Sequence, residues 1–266
     1  MTQRMPVLFL GHGSPMTVIS DVPERRAFET LGRALPRPRA ILAVSAHWQS
    51  HGKTLINAQE KPPTIHDFGG FPDELFAIQY PARTDPGLIA RIVDLAGAER
   101  IGLDHEWGYD HGTWGVVRPM FPAADIPLVS MSLDRSLPPD AHLALAARMA
   151  PLRDERVLIV GSGNIIHNLR TWRQTQGTRP EWALEFQQRI NAAILADDRE
   201  ALTRFAPDDQ AAGLAINSAE HYLPLLYAIG ARLPGDEVGL FNDTVDGSMS
   251  MTSVLLGDTR LLTGIA

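Results

Sequence analysis

The stretch Val7-Leu8-Phe9-Leu10-Gly11-His12-Gly13-Ser14-Pro15 constrains this chain more than any other. Four apolar residues in a row suit a short strand buried on both faces. The Gly-His-Gly-Ser-Pro turn then stops that strand and leaves an imidazole at its C-terminal end. The arrangement recurs. Ala40–Ala46 is a second continuous apolar run and ends in His47-Trp48. Arg156–Val160 is a third, passing through Gly161-Ser162-Gly163-Asn164 to Ile165-Ile166-His167. Between the first two, Asp21-Val22-Pro23-Glu24 opens a helix expected to reach about Ala34, with proline and acids suited to its first turn. Strand, helix and strand at this spacing make a βαβ unit with parallel strands. In open α/β sheets ligands bind at the C-terminal strand ends, so His12 and His47 are expected to face one cleft.

Further elements complete an α/β chain. Helices are expected from Asp85-Pro86 to about Gly97, from Pro138 to about Asp154, from Glu181 to Ala196 and near Arg199–Phe205. Ile126–Leu133 reads as another strand. Ser218 is the expected N-cap of a helix that carries His221 in its first turn. Glu237–Val245 and Ser248–Leu256 read as a hairpin turning at Asp246-Gly247, adding antiparallel edges to the sheet. The stretches Lys61–Pro72 and Glu106–Gly115 are rich in aromatic, proline and glycine residues without helical or strand period. They are expected as loops walling a pocket, with Thr64–Pro72 at its mouth. Gly161-Ser162-Gly163 is not a dinucleotide loop, because Ile166 stands where that pattern needs glycine. The expected architecture is one domain over residues 1–266, with a mostly parallel central sheet flanked by helices.

Composition narrows the chemistry. A formal charge of −7 with no basic stripe argues against nucleic acid. No apolar run is long enough to span a bilayer, and the N-terminal run is too short for a signal peptide, so a cytoplasmic protein is expected. There is no cysteine. That leaves imidazole and carboxylate as ligands for any transition metal. Of the nine histidines, His51, His105 and His142 lack a strand-end or loop context and are expected in solvent. His66 and His111 lie in the aromatic stretches, where lining a pocket and packing are equally open to them.

LFLGHGSP, VSAHW, PPTIHDFGGFP, WGYDHGTWG, GSGNIIHNL and EHYLPLLYA, in this order, resemble the 4,5-DOPA extradiol dioxygenase family, related to the class III extradiol ring-cleaving dioxygenases. The resemblance implies a non-haem metal, a catechol substrate and O₂, with cleavage of the ring beside its two hydroxyls. By position, His12, His47 and His221 match the metal ligands, His167 a further active-site histidine, and His111 a histidine near the substrate hydroxyls. His66, Phe68, Trp114 and Tyr222 are assigned to the substrate wall. An octahedral Fe(II) has six positions, of which a chelating catechol and O₂ take three. On that count His167 acts as acid and base during turnover, and completes the ligand set only in a resting four-coordinate zinc form. The general two-histidine, one-carboxylate pattern makes Glu220 the rival of His221. Neighbours on a helix point about 100° apart, so both are not expected on one metal, and His221 is chosen.

Fe(II) is expected for activity, with Zn(II) able to occupy the site in purified protein. The expected partners are a small-molecule catechol and O₂, neither nucleic acid nor membrane, with a homo-oligomer left open. Two other enzyme classes compete. Gly-His-Gly-Ser after a strand also resembles the entry motif of small tetrapyrrole chelatases. Three imidazoles with an open position would equally suit a zinc hydrolase.

Overall fold

A computed structural model describes residues 4–265 of the chain. In chain order it begins β1 (Val7–Gly11), α1 (Pro23–Ala34), β2 (Ala40–Ser50), β3 (Thr54–Asn57), α2 (Asp73–Phe76), α3 (Pro86–Ala96) and β4 (Ile101–Asp104). It continues with α4 (His111–Met120), β5 (Leu128–Asp134), α5 (Pro139–Met149), β6 (Val157–Gly163), α6 (Leu169–Thr175) and α7 (Glu181–Ala196). It closes with α8 (Arg199–Thr203), α9 (Gln210–Ala215), α10 (Leu223–Gly230), β7 (Glu237–Phe241), β8 (Val245–Asp246), β9 (Met249–Ser250) and β10 (Ser253–Gly257).

Eight strands form one sheet in the order β4-β3-β5-β2-β6-β1-β10-β7. Its centre is parallel. β6 lies between β1 and β2, with Gly11 opposite Gly163 and Ser45 opposite Ser162. The first two strands are thus parallel but not adjacent, and their C-terminal ends share an edge with that of β6. Alternation along β1 shows why such runs are apolar throughout. Val7 and Phe9 pack into the core on the side of α3, α5, α7 and α10, while Leu8 and Leu10 pack into the core beside α1 and α4.

Several boundaries differ from the sequence reading. β2 does not stop at Ala46. It runs on to Ser50 with its register against β5 shifted between Val44 and Gln49, so His47 sits on a bulge inside the strand rather than beyond its end. Bulges re-aim side chains in this way. The C-terminal hairpin is divided. β7 pairs with β10, while β8 and β9 make a separate two-stranded ribbon turning at Gly247-Ser248 rather than Asp246-Gly247, with Gly247 at φ 57°. The Glu106–Gly115 stretch is a loop only as far as Asp110, whose carboxylate caps α4 by accepting from the Thr113 N–H. β3 and β4, too short to show a period, extend the sheet beyond β5. His142, expected in solvent, is fully buried and shares a hydrogen bond with the Tyr227 hydroxyl at 3.0 Å. The helical turn at Pro139 points it inward between α5 and α10.

Candidate metal centre

Four segments converge at the C-terminal edge of the sheet. His12 follows β1 directly, its N–H bonded to the Gly163 carbonyl of β6. His47 comes from the β2 bulge, and His111 is the first residue of α4. His221 belongs to a single 3₁₀ turn, Ala219–His221, ahead of α10. That last placement departs from the expected α-helical first turn. Ser218 caps no backbone N–H, and its hydroxyl bonds Glu220 instead. What brings His221 onto the sheet is the glycine pair of β6. A Cβ at Gly163 would overlap the His221 carbonyl, and one at Gly161 the Pro224 carbonyl. The bare strand lets the turn lie on it, with the Asn164 N–H bonding the His221 carbonyl at 2.8 Å.

The hydrogen bonds settle which ring nitrogens face inward. Ser162 donates its hydroxyl to the Gly112 carbonyl, so it can only accept from Nδ1–H of His12, 3.1 Å away. Carboxylates also only accept. His47 Nδ1–H therefore donates to Asp67 at 2.7 Å, and His221 Nδ1–H to Glu220 at 3.2 Å. In their neutral form, the form that binds metal, all three rings are left with Nε2 bare. The Nε2 atoms of His47 and His221 stand 3.3 Å apart, and one ligand nitrogen from each of His12, His47 and His221 falls within a 4.8 Å cluster. Two lone pairs facing each other repel unless a cation lies between them. Two metal–nitrogen bonds of ~2.05 Å at a tetrahedral angle hold their nitrogens ~3.3 Å apart. The triad fits a metal ion.

Charge follows the same plan. Burial, then the neighbouring imidazoles, hold His12 well below the ordinary histidine range. Burial brings His221 down to about 4 against the opposing pull of Glu220, and burial and His221 bring His167 to about 3. These rings are neutral at physiological pH, as metal ligation requires. His47 is the exception. Burial lowers it, but Asp67 and Asp110 outweigh burial and raise it. Burial would raise both carboxyls, but hydrogen bonds from the histidines hold Asp67 far below the carboxylate range, and bonds from His221 and Ser218 bring Glu220 to about 2.

A cavity of about 670 Å³ opens over the triad, within the range of small-molecule sites. His111 and His167 line it, with Phe68 and Phe71 from the loop after β3, Leu169 and Trp172 from α6, and Met249. The loop Thr64–Pro72 thus stands at the cavity. Of the four residues assigned to the substrate wall, the structure brings Phe68 there and not the other three. Trp114 is buried in α4 and donates its indole N–H to the Ile65 carbonyl. His66 donates Nε2–H to the Ile78 carbonyl, and Tyr222 its hydroxyl to the Leu202 carbonyl. Amphipathic rings with a polar tip satisfy that tip on nearby backbone, and these three brace the structure behind the site. His167 lies outside the triad, stacked on His221 and grouped with His221 and Glu220. Asp67 and Trp172 were not singled out from sequence. The signal for Asp67 was there, an acid beside a histidine in an apolar loop; Trp172 carried none.

A doubly flanked, mostly parallel sheet with convergent imidazoles under an aromatic cavity defines a metal-capable enzyme. The family model "Catalytic LigB subunit of aromatic ring-opening dioxygenase" matches residues 6–247. A 4,5-DOPA dioxygenase extradiol from Escherichia coli K12 is 44% identical, over 96% of this chain and 95% of that protein. One from Beta vulgaris is 34% identical, over 91% and 92%. The crystal structure of an uncharacterized protein from Escherichia coli K12 superposes with a TM-score of 0.78 at 39% identity, covering 96% of this chain and 100% of that one. This chain belongs to the extradiol ring-cleaving dioxygenase family, as its six sequence segments suggested, and is an oxidoreductase of that class. Among the described residues no helix is long and apolar enough to cross a membrane.

Proposed function

We propose that the domain 1–266 opens the aromatic ring of a DOPA-like catechol with O₂ at a metal ion held by His12, His47 and His221. The convergence of three bare Nε2 atoms carries this reading. Each has its Nδ1 proton engaged by a different acceptor, on Ser162, Asp67 and Glu220. Fe(II) is the working ion, and Zn(II) an inert occupant of the same ligands. When bound, iron supplies electron transfer between catechol and oxygen and acidifies the substrate hydroxyls, the first of which zinc cannot do.

The protein's own groups do the rest. Phe68, Phe71 and Trp172 give the cavity aromatic walls that suit a flat ring and exclude water from it. His167 has no hydrogen-bond partner on its ring nitrogens among the described residues, so it is free to take a hydroxyl proton and return it. His111 keeps Nδ1–H on Asp67 and turns its bare Nε2 toward the cavity, where it can accept a proton from a substrate hydroxyl. Glu220 serves His221 as its acceptor, which leaves it poorly suited to replace that histidine.

The test is anaerobic loading with Fe(II) or Zn(II), addition of DOPA and other catechols, then admission of air while absorbance of a ring-opened semialdehyde is followed. Iron alone should give product. Equal rates with both metals, or no product from any catechol with iron, would return the tetrapyrrole chelatase and zinc hydrolase to consideration.

A further inference from the structure

We propose that Asp67 is a positioning residue whose single carboxylate sets the tautomers of His47 and His111 together and registers the aromatic loop on the metal centre. The inference rests on the metal-centre reading above and concerns a residue outside the triad. Oδ2 of Asp67 lies 2.7 Å from His47 Nδ1. Oδ1 lies 2.9 Å from His111 Nδ1 and 2.8 Å from the His111 backbone N–H. The side chain is only 19% exposed. One oxygen thus serves His47, and the other takes two N–H groups at the start of α4.

The backbone that carries Asp67 is itself held. The Ile65 N–H bonds the Tyr109 carbonyl at 2.7 Å, and the Ile65 carbonyl accepts the Trp114 indole at 2.9 Å. On the other side of Asp67, Phe68 lines the cavity. A carboxylate fixed in this way cannot follow a histidine that turns, so each ring must come to it, Nδ1–H first. His47 then presents Nε2 to the triad, and His111 presents Nε2 to the cavity. Partners of this kind orient metal-binding histidines and raise their basicity.

Asparagine separates this role from simple shape. Asp67→Asn keeps the volume but has one acceptor oxygen and one amide NH₂. His111 offers two donors and His47 one, so the amide oxygen settles on the His111 side and Nδ2–H faces His47 Nδ1–H. His47 must then move its proton to Nε2 or turn over, and either blocks its ligand nitrogen.

Zn(II) is the probe, its dissociation constant measured by competition with a chromophoric chelator. Asp67→Asn should bind it about 10–100-fold more weakly. His111→Ala, which spares the His47 contact, should stay within about threefold of the parent. Nitrogen-15 spectra of metal-free parent protein in mildly alkaline solution should show Nδ1–H tautomers at His47 and His111. Zinc affinity of Asp67→Asn within about threefold of the parent, or an Nε2–H tautomer at either ring, overturns the proposal. Should the asparagine variant fail to fold, the parent's tautomers decide alone. A parent that binds zinc as expected but opens no catechol with iron sinks the ring-opening reading and leaves both readouts for Asp67 intact.

Discussion

The imidazole of His167 lies flat on that of His221, ring centroids 3.4 Å apart and planes 6° from parallel. The lone pairs of two rings stacked in parallel lie in planes that do not meet, so the two rings do not converge on one ion. His167 is thereby kept beside the triad, at the cavity wall, its ring nitrogens without a hydrogen-bond partner among the described residues. Burial and the neighbouring His221 keep it neutral, at about 3.

Replacing His167 by alanine should therefore leave metal content near that of the parent while turnover falls about 10²–10⁴-fold, the usual loss for a missing acid and base. Metal analysis beside catechol kinetics checks both halves. Parallel loss of metal would place His167 among the ligands.

His221→Ala should lose most of its metal. Glu220→Ala should keep the site but bind metal about 10–100-fold more weakly, because it removes only the acceptor for His221 Nδ1–H. The opposite ranking would hand the third position to the carboxylate.

Gly163→Ala should cost about 1–3 kcal/mol in denaturant unfolding and lower metal content, since its methyl displaces the His221 carbonyl. Gly69→Ala, in the aromatic loop with open space around a Cβ, is the control and should change neither.

Trp172→Ala should raise KM for a catechol up to about tenfold with metal content unchanged, because an aromatic contact contributes about 0.5–1.5 kcal/mol. A fall in kcat alone would move Trp172 from the binding wall to the chemistry.

Acid should destabilise the fold through His142, away from the site. Its burial between α5 and α10 lowers it to about 4. The unfolded chain therefore takes up a proton on it near the ordinary histidine value while the folded chain does not. The stability it contributes is complete above about pH 6.5 and is lost as pH falls toward about 4. Between about pH 7.5 and about pH 5 the loss is about 2 kcal/mol. Urea unfolding of the parent and of His142→Gln at both values should show the smaller decline in the variant.

Strand-end histidines were legible from residue order alone because buried parallel strands demand continuous apolar runs, and those of β1, β2 and β6 each lead to an imidazole. The edge they share follows from parallel pairing. Local order also set the capped start of α3 at Asp85 and the extent of α1 and α7, where proline, acids and a 3.6-residue period agree. Tertiary structure decided the rest. Asp67 meets His47 and His111 across 20 and 44 residues of chain, a distance over which no local period carries information. Whether Trp114 lines a pocket or braces α4 depends on which carbonyl its indole finds, and that carbonyl belongs to another segment. The place of His221 depended on what Gly161 and Gly163 lack. Two missing Cβ atoms make room for a turn arriving from far along the chain, and only the packed fold shows what they admit.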